Sequence, residues 1–255
     1  MTREHVWPDW IGRMFFDYKR GDHAPLAPHR ASSSLKHEPD REWTAPSFTS
    51  EAKVVCKDCN EGWMNDLEAA AKPILAPMLR GKRVVLDTDA QAIVARWLTK
   101  TAMVFQRTTP RRPVPERHTR YLYDHRRPPP SCQVWIGART AEDGGILSGI
   151  QSARLKPEAA EPAGQVFSAY LVTVGIAAFV GQLFGHDLPR FDFPWGHEGM
   201  FASAVEQIWP PFEPIQWPPK HVIGAVKDFA EDPSFGQHLG RSFAGQGVEL
   251  RAIWP

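Results

Sequence analysis

Apolar positions change period several times along the chain. Asp89 to Gln106 (DAQAIVARWLTKTAMVFQ) places Ile93, Trp97, Ala102, Val104 and Phe105 at helical spacing and predicts the clearest helix. Trp63, Met64 and Leu67 also repeat helically and predict a helix from Asn60 to Leu79, bent or restarted near Pro73, where a backbone donor is missing. Asn60 suits the cap of that helix, because its side chain can accept from free amides of the first turn. Short strands are predicted at Lys53 to Cys56, Val84 to Leu86, Cys132 to Ala138 and Val248 to Ile253, on β-branched content or alternation. Phe167 to Gly185 is uncharged and long enough to raise the question of a membrane span. Gly175 and Gly181 interrupt it, Ser168, Thr173 and Gln182 are polar, and no basic cluster flanks it. Two buried strands turning near Gly175 account for it better, and no membrane partner is expected.

Between these segments the periodicity fades. Residues 21 to 50 are rich in Pro, Ser, His and charge and read as a long excursion. Arg107 to Arg127 is the one locally basic run, with Arg107, Arg111, Arg112, Arg117 and Arg120 among its cations and several prolines. It is either a solvated connector or an extended arm contacting phosphates. Residues 186 to 199 read as loop. Ile208 to Lys220 is extended, because each residue before a proline is pushed out of the helical region. His221 to Phe229 is a candidate short helix.

With 255 residues the chain can form one large or two small domains with real cores. Thirty Lys and Arg against 29 Asp and Glu give a formal charge of +1, so any nucleic-acid footprint must be local rather than global. Three cysteines, two of them in one CxxC, argue against a disulfide scaffold and for a reducing compartment. The start of the chain has no signal-peptide core, and a cytoplasmic location is expected. Twenty-four prolines and ten tryptophans point to a fold with many fixed turns.

Two short motifs carry candidate chemistry. Glu4-His5-Val6-Trp7-Pro8 sets a carboxylate beside a histidine on a segment halted by proline. Val54-Val55-Cys56-x-x-Cys59-Asn60 leads a strand into two thiols and a helix start. Together, EHVWPDW (Glu4 to Trp10) and CKDCNEGWMNDLE (Cys56 to Glu68) resemble the HNH endonuclease family, in its bacterial branch reading EHV.P.W and then C..CN.GWM..LE. The resemblance covers about the first third of the chain and lacks the CxxC that the family usually carries before the EH pair.

The resemblance implies an α+β protein: an N-terminal ββα-metal nuclease-like unit at residues 1–80, a helix and basic connector at 81–130, and a larger mixed C-terminal domain at 131–255. It implies hydrolysis of DNA phosphodiesters, with His5 as the base for the attacking water. Glu4 and Asn60 would be ligands of a catalytic Mg²⁺ or Mn²⁺, which hard oxygens suit. Cys56 and Cys59 would hold a structural Zn²⁺. Cys132, His23, His29 and His37 are candidates for the remaining zinc ligands, and the other reading of the two cysteines is a pair of small buried thiols. No asparagine lies between His5 and Asn60, so Ser47, Thr49 or Ser50 would orient the base. The rivals are a degenerate HNH-fold module that binds nucleic acid without cutting it, and an unrelated small metal-stabilised domain.

Overall fold

The computed structural model describes residues 2–15, 26–31, 41–46, 51–109, 112–140, 146–157, 167–188, 196–197, 202–224, 235, 239 and 250–253. The chain is mixed α+β. Strand β1 (Thr2–His5) pairs antiparallel with β4 (Glu51–Val55). Helix α1 (Asp9–Phe15) follows β1. A hairpin of β2 (Leu26–Ala31) and β3 (Arg41–Pro46) lies within the segment expected to be an excursion without regular structure. That segment is a correction: its polar, proline-containing sequence masks a regular strand pair.

The helix after β4 begins earlier than the sequence predicts. α2 (Lys57–Cys59) is capped by Cys56, whose sulfur accepts from the Cys59 amide, and Asn60 is already helical. A π-turn (Asn60–Met64) then joins α3 (Asn65–Leu79). The break falls at Gly62 (φ −97°, ψ −116°) and not at Pro73, which α3 absorbs together with Pro77. Pro73 and Ala69 are both exposed, so water can satisfy the Ala69 carbonyl that the proline leaves free.

The expected strand β5 (Val84–Leu86) pairs with β11 (Ile215–Trp217). Helix α4 (Thr88–Phe105) starts at Asp87, whose carboxylate accepts from the Ala90 amide at 2.8 Å. The basic run is a connector only in part. It contains α5 (Glu116–His125), which buries only His118 and Leu122 and ends at Arg126 in the left-handed region.

The main sheet is antiparallel. It joins β10 (Val205–Trp209), β6 (Cys132–Ala138), β9 (Phe179–His186), β8 (Phe167–Ile176), β7 (Ile146–Pro157) and β12 (Leu250–Ile253), in that order. The uncharged run is therefore the β8–β9 hairpin. It turns at Ala177-Ala178, two residues beyond Gly175, with Ala177 at φ 49°. Among the described residues no helix is long and apolar enough to cross a membrane. Residues 221–224 are not helical, and Ile223 bridges to Arg139; the rest of the helix expected there lies outside the described residues.

Strand β9 is buried at every position because both sheet faces are covered. On one face α4 lays Trp97 edge-on to Phe179, with ring centroids 6.4 Å apart. Leu98 sits so close to Gly181 that a β-carbon there would come within 2.4 Å of it. On the other face Phe235 and Leu239 pack with Phe167, Leu171 and Phe184. One apolar cluster runs from Val6 through α3 and α4 to Trp217. The helix expected within 81–130 is thus the central core helix.

Helix α5 is tied to the sheet by a buried polar network. His118 Nδ1 lies 2.7 Å from the Tyr170 hydroxyl, Ser131 Oγ lies 3.2 Å from His118 Nε2, and Cys132 Sγ lies 3.2 Å from the same hydroxyl. Burial, then the charges of Arg117 and His186, push the His118 pKa down to about 4. Burial raises the Cys132 thiol to about 12. Because His118 has an unfolded pKa near 6.5, the unfolded chain takes up the proton first as pH falls. The neutral imidazole's contribution is therefore fully present above pH ~6.5 and is lost between about 6.5 and 4, up to about 2–3 kcal/mol. Urea denaturation between pH 7.5 and 4.5 should show a steeper loss of stability in the parent chain than in His118→Gln. Parallel profiles would remove His118 from the acid sensitivity.

Candidate functional site

The two motifs meet in the first sheet. The register sets Glu4 opposite Ala52 and His5 opposite Glu51, with Thr2 opposite Val55 across a bulge. The Thr2 hydroxyl donates to the Val55 carbonyl at 3.2 Å. Strand alternation sends neighbouring side chains to opposite faces. Glu4 accordingly turns inward, 12 % exposed, whereas His5 is 36 % exposed with its Nε2 4.0 Å from an Asp9 carboxylate oxygen.

Inside, Glu4 meets a partner that the sequence reading did not assign. Lys100 Nζ, on α4 and 2 % exposed, donates to Glu4 Oε1 at 3.1 Å and to Glu68 Oε1 at 2.6 Å. Glu68 also accepts from the Trp97 indole at 3.0 and 3.1 Å and from the Trp10 indole at 3.2 Å. Burial opposes the Lys100 charge. The Glu68 and Glu4 carboxylates and their hydrogen bonds outweigh that burial, so the lysine pKa stands above its ordinary value. The available signal for Lys100 was a charge set among the apolar positions of a long helix, since a buried charge needs a partner.

Cys56 and Cys59 converge at the start of α2, with their sulfurs 2.6 Å apart. The Cys59 amide donates to the Cys56 sulfur at 3.2 Å. Hydrogen bonds from the Cys59 side chain and amide lower the exposed Cys56 thiol, whereas burial and then the Cys56 hydrogen bond raise Cys59. Two thiolates bonded to one tetrahedral zinc at about 2.3 Å stand about 3.8 Å apart, so the pair would open by about 1 Å to take one. They fit two corners of such a site. Among the described residues no group of three or more His, Cys, Asp or Glu gathers to hold a metal. Cys132 is not the missing ligand, because it is buried in the His118–Tyr170 network. His29 lies on β2, while His23, His37, Ser47, Thr49 and Ser50 lie outside the described residues. Asn60 is half-buried at the first position of the π-turn, directly after Cys59.

The arginines of the basic run do not form one common face. Arg107 donates to Glu116 at 2.6 Å, and Arg120 donates to Asp124 at 2.9 Å. Arg117 reaches Asp187, with 3.2 Å to its carboxylate and a hydrogen bond to its carbonyl. Arg112 is exposed, and Arg111 lies outside the described residues. Arg107 and Arg120 do line a cleft of about 300 Å³, together with Cys56, Cys59 and Trp63, and with Lys100 in its wall. Comparison with protein-family models, with curated proteins and with solved structures finds no match to this chain.

Removing the ammonium would leave two carboxylates facing each other in a largely dry site. Lys100→Met is expected to destabilise the chain by about 3–5 kcal/mol, the scale for breaking a buried ion pair from one side. Urea denaturation measures this, and a loss below about 1 kcal/mol would show that the three charges are not coupled.

Proposed function

We propose that the chain is an HNH-type endonuclease that hydrolyses DNA phosphodiester bonds. The observation that carries the reading is the pairing of β1 with β4. It sets the Glu4-His5 segment alongside the strand that runs directly into Cys56, Cys59 and Asn60. These are the parts of the sequence that resemble the family, and more than fifty residues separate them along the chain.

In this reading His5 takes the proton of the attacking water, with the Asp9 carboxylate 4.0 Å from its ring. Asp9 takes the orienting part for which the sequence offered Ser47, Thr49 or Ser50. Glu4 and Asn60 would hold Mg²⁺ or Mn²⁺, which when bound neutralises charge developing on the leaving oxygen. Lys100 fixes one oxygen of Glu4 and leaves the other for that role. Cys56 and Cys59 would hold zinc and fix the helix start that carries Asn60.

A second reading is a nucleic-acid-binding module of the same fold that does not cut. The Lys100 ion pair favours it, because the carboxylate a catalytic cation needs already has a cation beside it. Nicking of supercoiled plasmid separates the two. The nuclease requires cutting with Mg²⁺ or Mn²⁺ that EDTA abolishes, and a loss of about 100-fold or more in His5→Ala, the lower end for removing a general base. Equal cutting by His5→Ala and the parent would refute the assignment of His5. A parent that binds plasmid without nicking it in either metal favours the binding module.

The zinc assignment has its own readout. The purified parent should carry zinc by elemental analysis, and Cys56→Ser and Cys59→Ser should each lose most of it. Zinc content unchanged in both variants would place the metal elsewhere.

A further inference from the structure

Beside the CxxC turn, the cleft has apolar walls and a cationic edge. Trp63 and Met64 from the π-turn face Met103 and Val104 of α4, and Leu122 and Tyr123 of α5 close the side. A volume of about 300 Å³ lies at the lower end for small-ligand pockets and suits one flat ring system rather than a larger molecule. Among the lining residues the Thr119 hydroxyl is buried with no hydrogen-bond partner, whereas the Trp63 indole is set against the CxxC turn. The indole N–H is directed toward the Cys59 sulfur.

Arg107 and Arg120 line the cleft, and behind its lining rings stand two further arginines, Arg126 and, within reach of its charge, Arg96. The Arg126 guanidinium stacks over the Trp63 ring at 4.5 Å and the Tyr123 ring at 4.7 Å, and it donates to the Tyr123 carbonyl. Arg96 lies one helical turn before Lys100 on α4. Its Nε is buried without a partner, and burial and then the Arg126 charge depress its pKa. Among the described residues neither arginine has a carboxylate partner, whereas Arg107 and Arg120 in the cleft lining are already matched. Two neighbouring cations, one of them partly desolvated and unmatched, form an arrangement that an anion relieves.

We infer that this cleft seats one unstacked base of a single-stranded nucleic acid, with the adjoining phosphate on the Arg96–Arg126 pair. A base offers flat faces to the apolar walls of the cleft and a polar edge to the free Thr119 hydroxyl. Its phosphate supplies the charge that the two arginines lack, and the aromatic rings hold Arg126 in place for it. Paired bases inside a duplex cannot enter, so the site selects single strands or an extruded nucleotide. The inference deepens the nucleic-acid reading proposed above, but it requires no cleavage chemistry.

The test is fluorescence anisotropy with a fluorescein-labelled oligothymidylate of about twelve nucleotides, against a duplex of equal length, using the full chain without added divalent metal. The parent should bind the single strand more tightly than the duplex. Arg96→Gln, Arg126→Gln and Trp63→Leu should each weaken that binding about tenfold or more, and each arginine change should lower the salt dependence by about one ion. Arg80→Gln, on the exposed end of α3, should bind like the parent. Thermal melts identify any variant that fails to fold, and the two arginine variants carry the test if Trp63→Leu does so. Parental binding in both arginine variants, or a parent that prefers duplex, overturns the inference. If the parent nicks plasmid while the arginine variants bind and nick normally, only this inference falls. If binding is lost in the variants and no metal supports nicking in the parent, the cleft assignment stands and the nuclease reading falls.

Discussion

A buried ammonium is costly unless carboxylates surround it, and Lys100 sets that requirement at the middle of the molecule. Its two partners come from different elements, Glu4 from β1 and Glu68 from α3, while the lysine belongs to α4. Glu68 also takes both indole N–H groups that reach it, from Trp10 after the first strand and from Trp97 on α4. One carboxylate therefore joins three donors, and α1, α3 and α4 must all be correctly placed before it is satisfied. The aromatic rings that donate to it also exclude water from it, which strengthens each of these hydrogen bonds.

The parts of the fold that could be read from sequence were those where one periodicity held for several residues. Helix α4, strands β5 and β6 and the β8–β9 hairpin lie where their patterns place them, because each buries a regular set of apolar positions. Helix α5 was hidden by its own composition. ERHTRYLYDH sits among prolines and buries only two side chains, so little apolar signal remained. The helix break was assigned to Pro73 on a local rule, yet a proline on the wet face of a helix leaves its orphaned carbonyl to solvent. Gly62 took the distortion instead, next to a sulfur-capped turn that no cap preference for Asn60 would reveal.

The candidate site divides along the same line. His5, Glu4, Cys56, Cys59 and Asn60 stand in short motifs and could be named in advance. Lys100 and Glu68 could not be given roles, since a salt bridge across 32 residues has no local signature. Arg96 was equally hidden, and Arg126 was visible only as one cation of the basic run. Their importance comes from what they lack, a matching carboxylate, and that is a property of the packed structure rather than of spacing. The basic run drew notice because its arginines are neighbours in sequence, but Arg107, Arg117 and Arg120 prove to be neutralised by neighbours in space.

The hairpin tip at Ala177 and Ala178 has a mechanical consequence. The Ala178 amide donates to the Leu79 carbonyl at the end of α3, and Arg139 grips the tip from β6 through the carbonyls of Ala177 and Ala178. Helix α3 is thus held near its start at Glu68 and at its end at Leu79. Two fixed points on a rod still permit it to roll about its own length. The Lys72 ammonium over the Trp10 ring, 5.9 Å from its centroid, is a further contact on α3 and resists that roll. A load on the hairpin tip is therefore passed along α3 to Glu68, and from Glu68 through Lys100 into α4.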